Sequence, residues 1–149
     1  RVDGTMDALL PAGAAVTAVQ GRENSERDAH EGALLLLDVP AARRPTAILC
    51  FSDLMAWGVV HAAQDLGLSV PADLSVVGFD DSDLARSVRP ALTTVRQDLG
   101  AKGRAAAGAL VAAIARSREP DGPGASGEQI TIPLQLVVRH STGPVPAST

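Results

Sequence analysis

Thr46-Ala47-Ile48-Leu49-Cys50-Phe51-Ser52-Asp53 and Leu74-Ser75-Val76-Val77-Gly78-Phe79-Asp80-Asp81 are two near-continuous apolar runs, each ending in a short acidic turn. Runs of this kind suit a parallel sheet covered on both faces, because helices on either side leave no wet face for polar residues to alternate onto. The stretch between them reads as a helix ending at Leu66, where Gly67 can adopt the left-handed conformation and Pro71 follows. Ser52 or Asp53 supplies its N-cap. In an open α/β sheet, ligands collect beyond the carboxyl ends of the strands, so the two acidic turns mark the mouth of a small-molecule site.

Toward the N-terminus, 3–10 reads as a helix and Val16 to Val19 as a short strand, followed by a polar turn over 21–27. Asp28 can cap a helix running to about Asp38 with Ala33, Leu34 and Leu37 inward, and Pro40 and Pro45 bracket a loop. The order is then β-α-β-α-β. Toward the C-terminus, Thr93 to Gln97 reads as a short strand and Leu99 to Ser117 as a long helix with Leu99, Ala106, Leu110, Ala113 and Ile114 on one face. Residues 117–127 are loop-like. Ile130, Ile132, Leu134, Leu136 and Val138 alternate as in a half-buried strand, and Gly143 onward reads as a frayed end.

At 149 residues the chain is one domain or part of one. A net charge of -4 with no long basic block argues against holding duplex DNA unaided. Cys50 alone permits no disulfide framework and reads as a small buried hydrophobe. No run approaches the ~20 apolar residues of a membrane span, and the first residues lack a signal-peptide pattern, so a cytoplasmic setting is expected; the chain begins with Arg rather than Met. His30, His61 and His140 are scattered without metal-ligand spacing, and no metal or cofactor is implied.

Asp80 reads as a ligand contact, since a carboxylate at a strand's carboxyl end otherwise needs only water. Asp53 reads as a helix cap, Asp81 and Asp83 as a solvated turn. An alternative is Mg2+ held by Asp80, Asp81 and Asp83 in a phosphoryl-transfer or phosphoacceptor domain. It lacks support: there is no phosphate-cradling glycine loop and no Gly-x-Ser-x-Gly elbow, and the only lysine, Lys102, lies on the long helix. The helix over 53–66 is apolar all round, through Leu54, Met55, Trp57, Val59, Val60 and Ala63, which leaves one face for a partner chain with Trp57 as its anchor.

Pro45-Thr46-Ala47-Ile48, Ser52-Asp53-Leu54-Met55-Ala56-Trp57-Gly58, Gly67-Leu68-Ser69-Val70-Pro71, Gly78-Phe79-Asp80-Asp81, Leu92-Thr93-Thr94-Val95 and Val138-Arg139 follow one another. In this order they resemble the second half of the effector-binding core of the LacI/GalR family of bacterial transcription regulators, over most of residues 1–140. The resemblance implies a two-lobed, periplasmic-binding-protein-like α/β fold with a parallel sheet, closing on a small effector such as a sugar or nucleobase. It assigns 1–90 and 128–140 to the C-terminal lobe, 91–118 to a crossover strand and helix of the other lobe, and 141–149 to a flexible tail. The DNA-reading helix-turn-helix of that family is absent from this chain, and apolar surface is expected where the other lobe would pack.

By the same resemblance, effector contacts fall on Arg1, Ser52, Asp80 and Gln97, with Phe79 beside Asp80 and Arg27 where the family often has a stacking aromatic. A guanidinium fork and a carboxylate can together clamp vicinal hydroxyls. The family usually has Asn where this chain has Ser52. A homodimer seam falls on Trp57, Met55, Val60 and His61. The runner-up is a solute-binding protein of a sugar transport system, disfavoured by the closeness of these motifs to the regulators.

Overall fold

The structure, a computed structural model, describes residues 2–117 and 129–145, which divide into two compact units, 2–95 with 136–145 and 96–117 with 129–135. In chain order the elements are α1 (Val2–Leu9), α2 (Glu26–Leu37), β1 (Ala47–Leu49), α3 (Asp53–Asp65), β2 (Ser75–Asp80), α4 (Asp83–Ser87), β3 (Thr93–Arg96), α5 (Leu99–Ser117) and β4 (Gln135–Val137). The sheet order is β1-β2-β3-β4. β1 and β2 run parallel with Ala47 opposite Ser75 and Leu49 opposite Val77, the arrangement expected of the two apolar runs.

The first unit's core gathers Leu37, Ala56, Val59, Val60, Ala63, Leu74, Val76 and Leu92. Helices α2 and α3 touch backbone to backbone at Gly58: a Cβ there would collide with the Glu26 carbonyl oxygen and stand 3.0 Å from the His30 amide nitrogen. The apolar girth of α3 is therefore satisfied on one side by the sheet and on another by α2. Val60, read from sequence as part of a dimer seam, is completely buried in this core and cannot also reach a partner.

Other expectations change. Val16 to Val19 forms no strand, because no neighbouring strand offers it a ladder among the described residues. Ser25, not Asp28, caps α2: its backbone is extended (φ -131°, ψ 156°) and its hydroxyl accepts from the Asp28 amide. Ser52 caps α3, accepting from the Met55 amide at 3.2 Å. The alternating run 130–138 yields a strand only at Gln135–Val137, and Ile130, Leu134, Leu136 and Val138 are exposed, since no described residue buries their face.

The tail expected from 141 does not begin there. Ser141 is buried: its carbonyl accepts from the Val76 amide (2.8 Å), and its hydroxyl donates to the Val76 carbonyl (2.6 Å) while accepting from the Thr93 amide (2.8 Å). Thr142 bonds Thr93 through their hydroxyls, and the Gly143 amide donates to Ser75 Oγ. Residues 118–128 and 146–149 lie outside the described residues, and with them most of the expected loop and the end of the expected tail.

The second unit consists of α5 and the segment preceding β4. Leu99, Leu110, Val111 and Ile114 are exposed on α5, and Ala105, Ala106 and Ala109 line an open groove with Ile130, Ile132 and Leu134.

Candidate functional site

The pairing of β1 with β2 sets the geometry of the mouth. Each β1 residue faces the β2 residue 28 positions later, and the register continues as the Cys50 amide donates to the Val77 carbonyl at 2.8 Å. Carried on, it sets Ser52 and Asp80 at one end of the sheet. Asp80 and Asp81 both have positive φ, 111° and 55°, a backbone that non-glycine residues seldom adopt and that functional turns retain. Phe79 and Asp80 are half-buried there.

Ser52 is 5% exposed. Besides capping α3, its hydroxyl donates to Asn24 Oδ1 at 2.6 Å. Asn24 immediately precedes the cap of α2, in a loop fastened by the Asp28 carboxylate, which accepts from the amides of Arg22 (2.7 Å) and Glu23 (3.1 Å). The Glu23 amide leads the causes that hold the Asp28 carboxyl below its ordinary range.

Beneath the acidic turn lies a buried polar network. Asp53 is 1% exposed and does not cap its own helix: Oδ2 accepts from Ser82 N (2.7 Å) and Ser82 Oγ (2.8 Å), and Oδ1 accepts from Thr94 Oγ1 (2.6 Å). Asp81 is likewise not a solvated turn residue. It is paired with Arg139 Nη2, with Arg86 Nη2 at 3.6 Å, and its amide donates to Thr94 Oγ1. Arg139 also donates to the Leu92 carbonyl (2.8 Å). Asp83 is fully exposed on the first turn of α4, 3.3 Å from Arg86. Cys50 is buried, and that burial, with the Asp53 charge nearby, pushes its thiol up to about 12.

The remaining expected residues disperse. Arg27 is exposed and donates to Glu31 Oε1 at 2.9 Å, a hydrogen bond that raises its guanidinium above its ordinary range. Gln97 belongs to the second unit, where its Oε1 accepts from Lys102 Nζ at 3.2 Å. Arg1 lies outside the described residues. Met55, Trp57 and His61 are half-buried on α3; the Trp57 ring stands edge-on to His61 (centroids 4.9 Å apart), and His61 Nδ1 is 3.1 Å from Glu26 Oε1.

Sequence reading missed Asn24, Ser82, Thr94 and Arg139. Of these, Thr94 and Arg139 carried a signal, in the Leu92-Thr93-Thr94-Val95 and Val138-Arg139 motifs, and neither motif named a partner. Among the described residues no three His, Cys, Asp or Glu side chains could jointly hold a metal ion, and no helix is long and apolar enough to cross a membrane.

The family model of the periplasmic binding protein-like domain matches residues 2–142. The chain is 43% identical over 116 residues to the HTH-type transcriptional regulator MalR of Streptomyces coelicolor, covering 78% of this chain and 32% of that protein. It matches the crystal structure of a LacI transcriptional regulator from a Rhodococcus species with a TM-score of 0.81 and 36% identity, covering 98% of this chain and 51% of the other. A LacI family regulator from an Arthrobacter species, solved in complex with lactose, gives a TM-score of 0.75 and 34% identity over 95% of this chain and 50% of the other. The chain thus spans about half the length of these solved relatives and about a third of MalR.

Proposed function

The chain belongs to the periplasmic binding protein-like domain family as a LacI-type effector-binding domain, and on that premise we propose that it senses a small effector, and dimerises, on behalf of a cytoplasmic DNA-binding transcription regulator. One observation carries the reading: the parallel register that sets Ser52 and Asp80 at one end of the sheet, where open α/β sheets take their ligands.

The effector class is a neutral polyhydroxylated molecule. Asp80 offers carboxylate oxygens to hydroxyl donors, the Arg27 charge is engaged with Glu31, and the Arthrobacter neighbour was solved with lactose. The chain contributes binding and coupling rather than bond chemistry. An effector shifts the regulator only through its differential affinity for two lobe arrangements. With Val60 withdrawn into the core, the dimer seam falls on the half-buried rim of α3, at Met55, Trp57 and His61.

A thermal-shift series with D-glucose, sucrose, lactose and hypoxanthine tests this, because a compound that binds only the folded chain raises its Tm. A sugar-dependent rise that disappears in Asp80→Ala, with the unliganded Tm retained, is the expected result. No rise with any of the four, or an undiminished rise in Asp80→Ala, refutes the reading.

A further inference from the structure

The hydrogen-bonding inventory of Ser52 is already committed. A serine hydroxyl has one proton and two acceptor positions. Its proton goes to Asn24 Oδ1 at 2.6 Å and one acceptor position takes the Met55 amide at 3.2 Å, in a side chain only 5% exposed. Ser52 thus has no donor left for a ligand. Asn24 is in the opposite condition. It is exposed, its Oδ1 is held, and among the described residues no hydrogen bond uses its two Nδ2 protons.

The loop beneath Asn24 is fixed. Asp28 takes the amides of Arg22 and Glu23, and Ser25 takes the Asp28 amide in return, so the residue between them has little backbone freedom to lose on binding. One hydrogen bond from Ser52 then sets the amide plane. The result is a pre-oriented donor on the lip where Asp80 supplies an acceptor.

We propose that Asn24, rather than Ser52, reads the effector: its Nδ2 donates to a ligand oxygen while Asp80 accepts from a neighbouring hydroxyl, and Ser52 is a positioning residue acting through Asn24. The proposal rests on the effector-sensing reading above and deepens it. It commits the ligand to a neighbouring pair of oxygens, one accepting and one donating, as in a sugar's vicinal diol. A site built this way rejects analogues lacking either group, because its own polar atoms are then left unpaired.

The test uses calorimetric titration of the chain with whichever of D-glucose, sucrose and lactose raises its Tm. Asn24→Asp keeps the acceptor that anchors Ser52 and removes only the donor, so it should weaken binding about tenfold or more, the loss of one hydrogen bond plus repulsion of a ligand oxygen. Ser52→Ala should weaken it only about two- to fivefold, since the amide is loosened but still present. Adding Ser52→Ala to Asn24→Asp should then change little, the signature of a residue that acts through another. Asn24→Gln should restore part of the affinity. Binding that depends on Asp80 yet stays within twofold in Asn24→Asp, or a Ser52→Ala loss exceeding that of Asn24→Asp, overturns this assignment and leaves the sensing reading standing. Binding indifferent to Asp80 removes the sensing reading itself.

Discussion

Arg139 and Asp81 form a nearly buried ion pair that fastens the chain's return segment to the acidic turn: the Asp81 side chain is 1% exposed and that of Arg139 14%. The same guanidinium holds the Leu92 carbonyl, so one side chain braces the turn and the start of β3 together.

Arg139→Met should destabilise the first unit by about 3–5 kcal/mol, because it takes from a buried carboxylate the guanidinium paired with it and leaves the Arg86 contact at 3.6 Å. The double variant Arg139→Met, Asp81→Asn should recover a good part of that loss. Urea midpoints measure both; a double variant no better than the single one contradicts the account.

Asp53→Ala removes the acceptor of three hydrogen bonds, of which the one from Thr94 Oγ1 is buried. A loss of roughly 1–3 kcal/mol is expected from the stranded, buried Thr94 hydroxyl, the exposed Ser82 donors being within reach of water. Asn at this position should do better than Ala, since it retains one acceptor oxygen. Equal melting temperatures for the two variants would show that the retained acceptor oxygen is worth nothing and would sink this account.

Gly58→Ala drives a methyl group into the α2 backbone. Overpacking of this kind costs about 1–3 kcal/mol. Proteolysis should then cut within 26–37 sooner than in the parent, as α2 lifts from α3. An unaltered cleavage pattern would mean that the added methyl is absorbed without parting the helices, against this account.

The Cys50 thiol gives a pH dependence whose sign follows from its burial. Its ordinary value is 9.0 and burial raises it to about 12, so the folded chain holds the proton more tightly than the unfolded chain does. The resulting stability is complete below about 9 and is lost as pH climbs toward 12, at a slope of up to about 1.4 kcal/mol per pH unit. The chain has no tyrosine and one lysine, so few other side chains cloud that window. Urea titrations from pH 8 to 11 should show the decline in the parent and a flatter profile in Cys50→Ala.

What could be read from the chain was local. The two apolar runs, the glycine stop at Gly67 (φ 71°) and the limits of α5 all rest on signals within a few residues of the element they define. Ser25 and Asp28 show where local signals divide: either can cap a helix, and the choice fell to Ser25 because the Asp28 carboxylate is engaged by amides from the preceding loop. Val60 was misassigned because an all-round apolar helix does not say whether its second cover is a partner or its own chain; α2 provides it. The polar network was invisible for a simpler reason. Asp53 meets Thr94 across 41 residues and Asp81 meets Arg139 across 58, and no spacing rule links positions that far apart.

The bonds that Ser141 makes to Val76 and Thr93 govern the order in which the molecule can be made. A ribosome releases β2 and β3 long before residue 141, and at about 5–20 residues per second the intervening stretch takes roughly 2–10 seconds to synthesise. Through that interval the ends of two central strands have no partner from their own chain, which is the condition under which nascent chains pair with one another. Yield of soluble protein should therefore depend on translation speed across 96–135.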